Sequence, residues 1–233
     1  AREQAGPRRT VVVADTAHAS VHNALHLLGL RALVVDTGSD CRLTGSAIRA
    51  AAVGRTDIAA IVASAGSTNA GVIDDLAGCA DAADELGAWL HVDGAYGLAA
   101  MLLPELREQF AGIERADSFI VDPHKWLFAP YDACALVYRQ PELARAAHAQ
   151  RASYLDQVDR AEWNPSDLAV HLSRRARGLP FWFSLATHGT DRYTAAIERS
   201  LATARVVAEA IEDSDHLTLC FAPHLSVVLF ERV

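Results

Sequence analysis

The feature that most constrains this chain is a series of short apolar runs separated by helical patterns. "TVVVA" (10–14), "RALVVD" (31–36), "DIAAIVAS" (57–64), "AWLHVD" (88–93) and "DSFIVD" (117–122) each read as a strand. They show little of the polar alternation of a half-solvated strand. Near-continuous apolar strands joined by helical crossovers imply a parallel sheet covered on both faces. The crossovers are legible too. "SVHNALHLLG" predicts a helix ending at Gly29. "LTGSAIRAAAVG" predicts one opened by Thr44 or Ser46 and closed by Gly54. "DDLAGCADAADELG" predicts a third, with its acids in the first turn, where they suit the helix dipole, and Gly87 at its end. "ACALVYR" (133–139) follows "FAPYD" after a connection too short for a parallel crossover, so it is expected to run antiparallel.

The last third changes character. "RASYLDQVDRAEWNPSD" (151–167) is polar and unpatterned and reads as a mobile loop. A long helical region is expected from about Leu168 to Asp213, interrupted near Gly189. "HLTLCFAP" and "LSVVLFERV" read as two strands of a new unit. The chain begins without Met and ends on those strands, so it is expected to be part of a longer protein.

Composition narrows the function. A net charge of −8 argues against a nucleic-acid partner, which calls for a basic face. No apolar run approaches the roughly 20 residues that cross a bilayer. The four cysteines form no C-x-x-C pair, which favours a reducing, cytoplasmic setting.

Of 21 basic residues, 20 are arginine and Lys125 is the single lysine. Where charge alone is needed, this chain uses arginine. A position that keeps lysine is one where the amine must lose its proton and attack a carbonyl, which a guanidinium cannot do. In an open α/β sheet, ligands bind beyond the carboxyl ends of the strands. Those ends here carry His18, Thr68, Asp93 with Ala95, and His124 with Lys125. Lysine for a Schiff base and a carboxylate for a ring nitrogen are the two groups pyridoxal phosphate requires. Asp93 can also be read as the cap of a following helix. His18, His22 and His26 could line one helix face, but nothing acidic completes a metal site, and none is expected. "SAGSTNAG" is no P-loop, because it lacks that motif's lysine.

"HVDGAYG" followed by "ADSFIVDPHKW" resembles the group II pyridoxal-phosphate-dependent amino-acid decarboxylases, and the likeness runs from "DTAHASVHNA" to "RRARGLPFWF". The resemblance implies an α/β fold, a mostly parallel sheet flanked by helices. This is the large domain of a fold type I enzyme over residues 1–190, followed over 191–233 by a linking helix and the start of a smaller C-terminal α+β domain. It implies pyridoxal 5'-phosphate as cofactor and an amino acid as substrate, decarboxylated to an amine. By the same likeness Lys125 carries the cofactor and Asp93 meets its ring nitrogen. His18 and Ala95 lie against the two ring faces, Thr68 approaches from its loop, and His124 and Ser118 lie near the phosphate. Tyr154 falls on the catalytic loop, where it returns a proton to the substrate carbon, often at the site of the neighbouring subunit of a homodimer. Arg174, Arg175 and Arg177 match a segment with a structural role. Gly94 and Gly97 stand where the family often has alanine, and Asp122 where some members have asparagine. The family's main phosphate-binding segment lies upstream of the stretch that His18 opens and is missing here. The other readings are a different fold type I lyase, acting on a carbon–carbon bond, and a non-catalytic fragment or partner subunit.

Overall fold

The computed structural model describes residues 1–148 and 165–233. One six-stranded sheet is built from β1 (Thr10–Ala14), β2 (Arg31–Val35), β3 (Ile58–Ser64), β4 (Trp89–Asp93), β5 (Ser118–Val121) and β6 (Ala135–Tyr138), in the order β2-β1-β3-β4-β5-β6. The first five strands are mutually parallel. β6 runs antiparallel to β5, with Val121 opposite Ala135, as its short connection requires.

β1 and β3 are buried along their whole lengths, which is why their sequences do not alternate. Their side chains still sort by parity. Val12, Ala14, Ile61 and Ala63 enter the main core with helices α2 (Gly45–Ala51) and α3 (Leu76–Leu86). Val11, Val13, Ala60 and Val62 face the other way and pack with Leu25 of α1 (Ala19–Leu27). Helices therefore cover both faces.

Local signals set the helix ends. Thr44 caps α2, its hydroxyl accepting the Ala47 N–H at 3.2 Å. Gly87 closes α3 in the left-handed conformation, φ 57°. The start of α3 differs from expectation, since its first turn carries no acid. Asp75 is the cap and takes the Gly78 N–H at 3.0 Å, while Asp74 precedes the helix and is buried. The crossover from β4 to β5 consists of short 3-10 segments, anchored by the fully buried Leu103 and Phe110.

Beyond β6 lie α4 (Pro141–His148) and α5 (Gly178–Glu212), the latter broken at Gly189 (φ 70°, ψ 165°). The expected helix start at Leu168 is corrected to Gly178. Residues 169–177 are not helical, and Arg175 and Arg177 instead bond to Asp132. β7 (Leu217–Leu219) and β8 (Phe230–Arg232) pair antiparallel as a separate sheet. Ile197 of α5 and Leu225, between β7 and β8, bury themselves in the main core. Among the described residues no helix is long and apolar enough to cross a membrane.

Candidate active site

The carboxyl ends of β1, β3, β4 and β5 open into one cleft. His18, Ser20, Ser64, Gly66, Ser67 and Thr68 line it, together with Asp93, Ala95, Tyr96, Ile120, Asp122 and Lys125. Five residues singled out from the sequence, His18, Thr68, Asp93, Ala95 and Lys125, thus share a cavity although they span more than a hundred positions.

Each is placed by its element. Asp93 is the last residue of β4 and pairs in register with Ser64, the last of β3. One of its carboxylate oxygens accepts the Ala95 N–H at 3.1 Å, so the chain folds back around the acid and leaves the second oxygen free of that bond. Asp93 does not cap a following helix. The Ala95 carbonyl accepts the Asp122 N–H at 2.9 Å, tying the turn after β4 to the turn that carries lysine. Lys125 Nζ lies 3.0 Å from Asp122 Oδ2, an ion pair in which the carboxylate is largely buried and the amine is 40% exposed. Trp126 is buried behind it and stacks on Tyr96, ring centroids 4.7 Å apart.

His18 is the N-cap of α1, with extended backbone and its Nδ1 taking the Ser20 N–H. It lines the cleft, which neither His22 nor His26 does. Among the described residues no group of three or more His, Cys, Asp or Glu side chains could hold a metal.

Thr68 is exposed on the loop between β3 and α3, whose stem is closed by the Ala65–Ile73 bridge. That loop approaches the turn after β4 very closely. A Cβ added at Gly97 would lie 2.2 Å from the Ala65 carbonyl oxygen, and Gly66 opposite has φ 99°. The glycine that stands where alanine is common is thus required by this contact.

Two expected residues lie elsewhere. Ser118 begins β5, at the far end of the strand from Lys125, and its hydroxyl bonds to Trp89 and His91. It does not line the cleft. His124 does not itself line the cleft: its Nδ1 is held by the Ala133 backbone and its ring lies against Tyr131, while its Nε2 is 4.0 Å from Oδ2 of Asp122. It lines a separate groove with Tyr131, Asp132, Cys134 and the 168–178 segment. Tyr154 and the loop that carries it lie outside the described residues.

No pattern in the sequence marks Asp74. It is 1% exposed and accepts the N–H groups of Leu43 at 2.8 Å and Ser64 at 2.6 Å. Burial pushes its carboxyl up to about 7 against those two donors. It fixes the end of β3 from below, where Ser64 meets the cleft.

The pyridoxal-dependent decarboxylase conserved domain matches residues 2–233. The chain belongs to that family. It is 30% identical to the aromatic-L-amino-acid decarboxylase of Bacillus atrophaeus, covering 96% of this chain and 48% of that one. To the L-2,4-diaminobutyrate decarboxylase of Rhizobium meliloti (strain 1021) it is 32% identical, covering 97% and 48%. The crystal structure of Oryza sativa TDC with PLP and tryptamine superposes with a TM-score of 0.88 at 28% identity, over 97% of this chain and 49% of that one. The chain therefore spans about half the length of the relatives it matches.

Proposed function

We propose that the protein to which this chain belongs decarboxylates an L-amino acid to the corresponding amine and CO2, with pyridoxal 5'-phosphate as cofactor. The observation that carries the reading is the convergence of one lysine amine, one strand-end carboxylate and one imidazole on a single cleft. Those donors fit the group: an amine for its aldehyde, an anion for its ring nitrogen and flat or small side chains for its ring faces. When bound, the cofactor supplies an electron sink for the pair left on the substrate carbon as CO2 departs.

The residues divide the work. Lys125 holds the cofactor through Nζ, and Asp122 at 3.0 Å receives or returns the proton that the amine must shed to act as a nucleophile. Asp93 would hold a proton on the ring nitrogen with the carboxylate oxygen that Ala95 leaves free. His18 and Ala95 would lie against the ring faces, and Thr68 would reach it from its loop. Tyr154 returns a proton to the substrate carbon. His124 supports the phosphate end from outside the cleft, while the hydrogen bonds of Ser118 give it another task. The relatives named above act on aromatic amino acids and on 2,4-diaminobutyrate, so the substrate class stays at amino acids. The reading includes a cytoplasmic homodimer in which the Tyr154 loop reaches the neighbouring site, with residues 1–190 as large domain and 191–233 opening a second. Free cysteines at 41, 79, 134 and 220 suit a reducing compartment.

The test is direct. Pyridoxal phosphate added to the purified protein should give a visible absorption band that survives dialysis, is fixed by borohydride and is lost in Lys125→Ala. Release of CO2 from amino acids separates decarboxylation from carbon–carbon cleavage. Light scattering reads the dimer. Absence of the band in the full-length protein overturns the proposal.

A further inference from the structure

Trp89, His91 and Asp93 follow one another on a single face of β4, because alternate residues of a strand share a face. Parallel pairing sets Ser118 of β5 beside His91. The Ser118 side chain is buried, with its oxygen 2.9 Å from Trp89 Nε1 and 2.8 Å from His91 Nδ1. An indole N–H can only donate, so the serine oxygen accepts it. The remaining hydroxyl proton needs an acceptor of its own, since a buried donor left without one is costly. His91 Nδ1 is that acceptor, and no other hydrogen-bond partner of this hydroxyl occurs among the described residues. With its Nδ1 lone pair engaged, the neutral imidazole carries its proton on Nε2. Burial pushes the ring's pKa down, while the nearby charge of Asp93 and the Ser118 backbone pull the other way. His91 and Asp93 stand about 6.6 Å apart along the strand, a span their side chains can bridge.

We infer that Ser118 and His91 are positioning residues for Asp93. Ser118 locks the imidazole as the Nε2–H tautomer, and His91 presents that N–H through one water to the Asp93 carboxylate, keeping it aimed at the cofactor's ring nitrogen. The inference rests on the functional reading above only for its last step.

The experiment has two arms. In the cofactor-free chain, nitrogen-15 NMR of the His91 ring should show the Nε2–H tautomer in the wild type and in Ser118→Thr. In Ser118→Ala the signal should become a tautomer mixture. In the loaded protein, pyridoxal phosphate labelled at the ring nitrogen should show a protonated nitrogen in the wild type. In His91→Phe that resonance should move toward the unprotonated position, and cofactor retention should weaken roughly tenfold, the loss expected for one hydrogen bond to a charged group. A wild-type Nδ1–H tautomer, or a tautomer indifferent to Ser118→Ala, overturns the lock. An unmoved ring-nitrogen resonance in a His91→Phe protein that still holds cofactor through Lys125 overturns the link to Asp93. Failure of the functional reading looks different: no variant, wild type included, would retain cofactor, and the role toward the ring nitrogen would fall with it.

Discussion

Asp74→Asn isolates the residue that braces the cleft from below. In the wild type a carboxyl with an ordinary value of 3.8 is raised to about 7 by burial. At a little over 1 kcal/mol per pH unit, ionised Asp74 costs the native state about 4 kcal/mol relative to the unfolded chain. The sign follows from proton counting. The folded value is the higher one, so between about pH 4 and pH 7 the native state binds more protons than the unfolded state, and stability falls as pH rises. Below that window both states are protonated, above it both are ionised, and the contribution is flat. Asparagine does not titrate. Its oxygen can keep one of the two backbone N–H bonds, but its amide sets a donor against the other, at a pH-independent cost of about 1–3 kcal/mol. Urea unfolding of both proteins from about pH 4.5 to 8 gives the difference, in which titrations common to both cancel. The variant should be the less stable at acid pH, and its deficit should shrink by about 3 kcal/mol, or reverse, by pH 8. A difference constant within roughly 0.5 kcal/mol across the range would refute the buried, proton-holding Asp74 described here.

Lys125→Arg should leave stability within about 1 kcal/mol, because the partly exposed pair with Asp122 tolerates a guanidinium, yet abolish borohydride-fixed cofactor. Absorbance and thermal melting read the two effects separately. Gly97→Ala should destabilise by about 1–3 kcal/mol, seen in the urea midpoint, since the new Cβ meets backbone that cannot rotate away. It should also weaken cofactor retention by displacing the Thr68 loop. Asp132→Ala should speed proteolytic cleavage within 165–178, because Asp132 anchors both Arg175 and Arg177, and gel electrophoresis after limited digestion measures it.

What could be read in the sequence divides along a physical line. Strands buried on both faces announce themselves as apolar runs, and a short connection dictates the antiparallel β6, so the sheet was legible down to its exception. Thr44 and Gly87 act through their own backbone neighbours, and they too could be read. Asp74 could not. Its sequence context, an acid just before a helix, is the same as that of Asp75. Only the approach of Leu43 and Ser64 makes one a half-buried cap and the other a buried brace. The segment at 169–177 was misread as helix for the same reason, since its partner Asp132 is more than forty residues away. The cleft follows this logic. Lys125, Asp93 and His18 stand at strand ends, where topology alone brings them together. Ser118 lies at the opposite end of its strand. A motif match fixes a residue's position in the chain, but the strand register fixes which end of the sheet it serves, and that sets Ser118 beside His91, on the same face of β4 as Asp93.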